Sequence, residues 1–543
     1  MLYFIPAWYQ QGQWCENEQR WTVRRMHTEF DDTVKQIQLF QRSRAYPYQV
    51  MLLSAAPNFR HFLHRQGIYR APYWSCFDAI QEVRRRKMMV LSFHNLKWPE
   101  GIEFVYTPFV VVAMLHRQKY AQIDFGEDGN PIRIDFYQDG QLCRRNLYDD
   151  RGFISSTILY QDGQPLHQDY LMENGVWKLR HFLGDGHVEI NSGCPAYLLQ
   201  YGEMEQEKLF SRMVYSNMEQ LIYEVLAAYL GLTASEDIFC VAMHGLHAPL
   251  LGKALKGKKR ILSFFEGRYP LSAHPEAMGM LAAADYLIAD SEKNMARIRQ
   301  EAGVAFPNIM AIPPYDSRLD IGISQQFRVQ KILVPVDGLE DGAFAALVRL
   351  LGEYLLVNEK AQIHLFTRRA EYDRRQRLLE HTRGALRKAG FEEEWAAEEP
   401  EGQVAENDLE EEGVPVRFFA DQCVDELSVS KCMREQRLLV DLRDIPEQYL
   451  QVTAISIGIP QIVYTETEFV EHGKNGIVLR EPEKLQQAMD YYLQGSRNWN
   501  HARVCSYELV KDYTADKLLA KWKEVMCSVG GDMDPAADEG ERE

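Results

Sequence analysis

His244-Gly245-Leu246-His247 follows an apolar run over 238–243 and puts imidazoles at a strand end, where one could serve as a ligand or general base. A lone histidine at a strand end is more often structural. The turn Val336-Asp337-Gly338-Leu339-Glu340-Asp341 closes another apolar run and gathers three carboxylates. At close range in a cleft they would repel an anionic ligand by more than a few kcal/mol. Arg84-Arg85-Arg86-Lys87 and 256–260 are short basic clusters. They could meet anionic lipid, at about 1 kcal/mol per charge, or finish a helix and favour its dipole. No Gly-x-x-x-x-Gly-Lys phosphate loop, Gly-x-Ser-x-Gly elbow or His-Glu-x-x-His pair is present. No basic stripe with interleaved aromatics supports nucleic-acid binding. Nine cysteines stand singly with no Cys-x-x-Cys pair, which points to reduced thiols rather than a metal centre.

The elements that would position these residues alternate. In the C-terminal half, 331–336 reads as a strand, 341–357 as a helix, 361–366 as a strand and 368–388 as a helix. Runs at 416–419 and 437–442 continue the series, which predicts a parallel sheet with crossover helices. A further helix ends at Gly458, Ile459-Pro460 opens a buried strand, and a turn over 473–476 precedes another. Upstream, the strand 285–290 is followed by Ser291, an N-cap by chemistry with Glu292 in the first turn, and then by the strand 308–314.

Between 98 and 193 the pattern changes to short strands punctuated by Asp128-Gly129, Asp139-Gly140, Asp162-Gly163, Asn174-Gly175 and Asp185-Gly186. Such dipeptides between alternating residues are hairpin turns. The segment is therefore predicted as a long antiparallel meander, with Phe136, Tyr170, Trp177 and Phe182 covering one face. An open sheet edge invites pairing, so a partner surface is expected there.

The strand, helix and turn framework of 449–479, with the Ser291 and Pro314 segments, resembles the GT-B glycosyltransferases. That resemblance implies two donor-binding glutamates with seven residues between them, the second carried by the helix that ends at Gly458, and those positions fall on Ile445 and Thr453. Neither side chain can accept ribose hydroxyls as a carboxylate does. It also implies a Gly-rich turn with cations for a diphosphate, where this chain has Asp337, Glu340 and Asp341. Pro314-Tyr315-Asp316 replaces the usual Asn-Gly-x-Asp turn. A GT-B body with an inserted sheet is similar to the enzymes that glycosylate serine-rich-repeat adhesins. The opening Tyr3-Phe4-Ile5-Pro6-Ala7-Trp8-Tyr9, Trp21, Phe30-Asp31-Asp32-Thr33 and Gln36-Ile37-Gln38-Leu39-Phe40 resemble the Asp-one family of the accessory Sec system. The resemblance implies a non-catalytic cytosolic member of an export complex, with neither catalytic residues nor a cofactor. Its implied partners are Asp-two, Asp-three, the accessory Sec ATPase and a glycosylated serine-rich-repeat adhesin. The alternative is an active GT-B glycosyltransferase that modifies the adhesin from UDP-sugars, with the His244 region as base.

Length and charge fit this reading. A chain of 543 residues should divide into about three packed units. The expected division is an α/β body of 1–97 plus 196–320, an inserted sheet over 98–195, a second Rossmann-like unit over 321–495, crossover helices over 496–530 and an acidic disordered tail over 531–543. The net charge of −17 is concentrated. Eleven acids and no bases lie in 391–412, and the tail adds six acids and one Arg, so the remainder is close to neutral. The most apolar run, 104–115, is too short to span a bilayer and is broken by Thr107-Pro108. The N-terminus lacks a charged leader and cleavage site, so cytoplasmic placement is expected, with the basic clusters as candidate peripheral membrane contacts.

Overall fold

Leu2-Tyr3-Phe4-Ile5 has no polar face, so the strand it forms must be central and covered on both sides. In the computed structural model, which describes residues 1–10, 12–15, 30–43, 46–303, 308–398 and 415–530, it does so. Trp21, most of the acidic stretch 391–412 and the tail 531–543 lie outside the described residues. The chain opens with β1 (Leu2–Ile5), β2 (Tyr48–Leu52) and β3 (Tyr73–Ser75). After a long antiparallel excursion it resumes with parallel strands that complete the first sheet.

The excursion comprises β4 (Glu103–Tyr106), β5 (Val111–Leu115), β6 (Gln118–Phe125), β7 (Pro131–Gln138), β8 (Gln141–Asp149), β9 (Phe153–Gln161), β10 (Gln164–Leu171), β11 (Trp177–Phe182), β12 (Val188–Ile190), β13 (Ala196–Tyr201), β14 (Met204–Leu209) and β15 (Val214–Tyr215). Ten of these form one sheet in the order β15-β12-β11-β10-β9-β8-β7-β6-β5-β4, and β13 pairs with β14 alone. Asp139-Gly140 and Asp162-Gly163 hold φ of 50° and 78°, and of 52° and 75°. Two consecutive positive φ values are what a two-residue type I′ hairpin needs, and Gln138–Gln141 and Gln161–Gln164 pair across these turns.

Two expectations change here. Antiparallel pairing runs on to Tyr215, past the limit drawn at 195, because β15 adds to β12. The four aromatics do not share a face either. Residues opposite each other on neighbouring strands share a face, and the registers carry Phe136 through Arg144, Leu159 and His167 to Phe182 on one side. Tyr170 pairs with Leu179 on the other side and packs 5.2 Å from Phe77 in the core of the first sheet. Counting hairpins without their bulges loses this parity.

The chain then returns as β16 (Ile238–Ala242), β17 (Lys259–Phe264), β18 (Tyr286–Ala289) and β19 (Ile309–Ala311), giving a seven-stranded parallel sheet in the order β19-β18-β17-β16-β1-β2-β3. The second sheet is built from β20 (Gln330–Pro335), β21 (Ala361–Thr367), β22 (Phe418–Gln422), β23 (Leu438–Asp441), β24 (Gln461–Val463) and β25 (Gly476–Val478), all parallel, in the order β22-β21-β20-β23-β24-β25. The helix expected from 368 starts at Arg374, because the Arg368 amide donates to Asp337 and holds 368–373 as a loop. Gly458 ends the helix Gln448–Ile457 at φ +81°, where a Cβ would come within 2.8 Å of Arg503 and Tyr507.

Of the two last helices, only one crosses back. Ser496–Val510 stays against the second sheet, with Tyr507 donating to the Ile457 carbonyl. Ala515–Gly530 returns to the first sheet and seats Trp522 5.3 Å from Phe40 and 6.2 Å from Phe4. Among the described residues, no helix is long and apolar enough to cross a membrane.

Candidate functional site: a cleft between two parallel sheets

All strands of a parallel sheet end on one edge, and ligand sites of open α/β sheets form there. In the first sheet this edge carries a buried ion cluster. Asp31 accepts from the backbone amides of Thr33 at 2.9 Å and Val34 at 3.2 Å, capping the helix Asp32–Ser43, and from the Trp8 indole at 2.9 Å. Arg268, just past β17, donates to both Asp32 oxygens at 2.6 and 3.0 Å and to Asp31 at 3.3 Å. Burial and the neighbouring Asp32 push the Asp31 carboxyl up to about 6, against the pull of Arg268. The opening motif Trp8 with Phe30-Asp31-Asp32-Thr33 is thus one structural unit closed by Arg268.

The facing edge of the second sheet carries another. Asp337, at the end of β20, accepts from the Thr367 hydroxyl at 2.7 Å, the Arg368 amide at 2.8 Å and the Arg374 guanidinium at 3.1 Å. Arg443 forks onto Asp441 at 2.7 and 2.6 Å and donates to the Asp337 carbonyl at 3.3 Å. Glu447 ion-pairs with Arg368 and lies 3.8 Å from Arg443. Burial lowers the pKa of the Arg368 guanidinium. Every cation named here is matched to a carboxylate of the same chain.

The edges also bind each other. Gln448 donates to the Asp290 carbonyl at 2.6 Å, the Glu292 amide to Glu468 at 3.1 Å, and the Tyr315 hydroxyl to the Phe30 carbonyl at 2.6 Å. Lys35 ion-pairs with Glu426. A groove of about 530 Å³, lined by Lys35, Arg42, Asp316, Glu426 and Thr453, runs beside these contacts.

The residues singled out from the sequence are dispersed. Ile445 is 65% exposed in the loop before the helix Gln448–Ile457. Thr453 lines the groove, and its hydroxyl donates back to the Tyr449 carbonyl at 2.7 Å. Asp337 alone joins the cleft network. Glu340 is exposed, and the Asp341 side chain is 97% exposed beside His381. Three carboxylates therefore do not converge on one anion position: the turn carries Asp341 onto the outer first turn of a helix, and Asp337 is neutralised by Arg374 and an amide. Arg268, Arg368, Arg443 and Glu447 were not singled out. Charged residues just beyond the C-terminal ends of predicted parallel strands were the available signal.

The histidine pair is structural at His247. Its Nδ1 accepts from the Tyr9 hydroxyl at 2.8 Å, and its Nε2 donates to the Ala242 carbonyl at 2.7 Å. Burial pushes it down to about 3. His244 accepts the Leu246 amide on Nδ1 at 3.1 Å and is pushed down to about 4 by burial, Arg268 and His274. The basic cluster at Arg84 is not a helix end. It lies in a loop where Arg85 meets Glu173 at 3.2 Å and Arg84 meets Glu205 at 3.5 Å.

A family profile for accessory Sec system protein Asp-one matches residues 1–528. A relative of that name from Streptococcus gordonii is 32% identical over 531 residues, covering 96% of this chain and 98% of its own. The crystal structure of accessory secretory protein 1, 2 and 3 in Streptococcus pneumoniae matches at a TM-score of 0.77 with 27% identity, over 97% of this chain and 99% of that one. The pneumococcal O-GlcNAc transferase GtfA in complex with UDP and GlcNAc matches at 0.69 with 11% identity, over 98% and 99%. That likeness is one of fold: a GT-B pair of Rossmann-like domains, with an antiparallel sheet inserted in the first.

Proposed function

The chain belongs to the family of accessory Sec system protein Asp-one, and from that premise we propose that it is a non-catalytic binding and assembly protein of accessory Sec export. In this reading it works in the cytoplasm with Asp-two, Asp-three and the accessory Sec ATPase to deliver a glycosylated serine-rich-repeat adhesin. The pairing with Asp-two and Asp-three draws support from the solved assembly of proteins 1, 2 and 3.

The observation that carries the loss of catalysis is the closed charge network of the second sheet. A donor diphosphate needs cations and amides left open to it. Arg368, Arg374 and Arg443 are instead held by Glu447, Asp337 and Asp441, while Ile445 and Thr453 stand where the resemblance expects glutamates. A peripheral membrane contact through the Arg84 cluster loses support from its pairing with Glu173 and Glu205.

The test is ligand binding and turnover on the full chain. A UDP-sugar at a hundred times its dissociation constant would add about 2.7 kcal/mol of stability. UDP-glucose and UDP-N-acetylglucosamine are expected to leave the melting temperature and a coupled UDP-release assay at background. Turnover would restore the alternative, an active transferase with His244 as base.

A further inference from the structure

β4 is the last strand of the ten-stranded sheet, and β5 covers only one of its edges. The Thr107 amide donates to the Val110 carbonyl at 3.0 Å where the hairpin turns. Bonded and non-bonded pairs alternate along an antiparallel ladder, so Val105 turns its backbone groups to Val112, while the N–H and C=O groups of Phe104 and Tyr106 point outward. These outward groups make no hydrogen bond among the described residues. Edge strands are usually blunted by lysines, proline or a bulge. Here Glu103 is the one charge in Glu103–Tyr106, Val105 is 49% and Tyr106 64% exposed, and no bulge interrupts the pairing with β5.

This edge is complementary to itself. Setting Val105 opposite its own counterpart in an antiparallel pair puts Phe104 opposite Tyr106 in both directions, which uses every outward N–H and C=O group of the two strands. Glu103 then faces Thr107, so no like charges meet. Sliding the pair one way sets Pro108, which has no N–H, opposite Phe104; sliding it the other way sets Tyr106 opposite Ile102, outside the strand. The antiparallel direction also keeps the two bodies apart. The turns at 107–110 and 126–130 lie at the end nearest the first sheet, where Glu127 is 3.6 Å from Arg65, and in the second copy that end lies at the opposite side of the joined sheet. We propose that β4 is a self-association edge: two copies of the chain pair β4 against β4 about a two-fold axis at Val105 and merge their inserted sheets. A strand pair this short buries less than the about 800 Å² per partner of stable interfaces, which places the dimer in the micromolar range. UDP-sugar turnover has no bearing on it.

The experiment is sedimentation equilibrium of the full chain up to about 100 μM. The unmodified chain is expected to pass from the monomer mass toward twice that mass as concentration rises. Val105→Lys sets two ammonium groups against each other on the axis and should weaken association more than tenfold, and Val105→Glu should do the same with carboxylates. Mixed in equal amounts, the two variants should recover the dimer, because opposite charges then meet. Val504→Lys, at an exposed valine of the helix Ser496–Val510, should associate as the unmodified chain does. Cross-linking gives a second readout. Val105→Cys places two thiols at a non-bonded pair with Cα atoms about 4.5 Å apart, inside the disulfide range, so mild oxidation should link the dimer. Glu103→Cys, whose counterpart lies about 14 Å away along the strand, should link no more than the unmodified chain. A chain that stays monomeric throughout, unchanged association in Val105→Lys, an equal loss in Val504→Lys, no recovery in the mixture, or equal linking from Glu103→Cys would each overturn the proposal.

Discussion

The Arg368 guanidinium lies 3.4 Å from the centroid of the Phe30 ring while it ion-pairs with Glu447. Phe30 precedes the first helix of the first sheet, and Arg368 follows β21 of the second. Tyr449 packs against the same ring at 4.8 Å and Tyr315 against Tyr449 at 5.2 Å. One stacked cation thus joins the two sheets.

Removing that cation leaves Glu447 largely buried without its main partner. Arg368→Ala is expected to destabilise the chain by about 2–4 kcal/mol, from the lost stacking and the stranded carboxylate. The pair Arg368→Met with Glu447→Leu should lose less than Arg368→Ala alone, since it buries no unpaired charge. Urea unfolding of the single and double variants checks this, and a larger loss in the double variant would refute it.

His247 should make stability pH-dependent. Burial holds it neutral in the native state down to about 3, whereas the unfolded imidazole binds a proton near 6.5. Between those values the unfolded state carries more protons, so stability rises with pH and is lost on acidification below about 6.5. The loss from this group should reach about 2 kcal/mol by pH 5. Urea midpoints of the unmodified chain and His247→Asn at pH 7 and pH 5 isolate the effect, and the Asn variant should show the flatter dependence.

Much of the framework was legible because it rests on local periodicity. Apolar runs gave the strands of the second sheet and β16, β18 and β19 of the first but not β1, β2, β3 or β17, Asp-Gly and Asn-Gly pairs gave hairpins, and Ser291 caps its helix by accepting the Asn294 amide. What failed was non-local. The faces of Tyr170 and Phe182 depend on bulges that shift register. Asp337 looked like a free charge because Arg374 reaches it from another element. Arg268 completes the Asp31-Asp32 cluster from more than two hundred residues away, a pairing that no spacing rule encodes.

Glutamates placed at the two positions that the GT-B resemblance points to should not confer chemistry. Thr453 faces a groove that already holds Glu426 and Asp316, and Arg368 would remain paired with Glu447. Ile445→Glu with Thr453→Glu is therefore expected to stay at background in a UDP-release assay. Turnover in that variant would show that the network yields to a donor and that the two side chains alone had silenced the site.

Deleting the inserted segment 98–193 should damage the first sheet rather than merely remove a docking surface. Tyr170, Leu179, Val188 and Ile190 lie within that segment yet belong to the core cluster of Phe77, Tyr197 and Tyr215. Truncating one such side chain typically costs about 2–5 kcal/mol, and losing all four approaches the stability of a whole domain, about 5–15 kcal/mol. The distal part is different. Val111, Ala113, Ala121, Ile123 and Ile134 form a separate cluster with Phe93 and Tyr148. Removing only β4 to β7 behind a Gly/Ser linker should therefore leave the first sheet folded. Circular dichroism melts of the two deletions, read beside capture of the partner proteins, separate the cases. A cooperative melt near the unmodified temperature after the long deletion would contradict the packing argument.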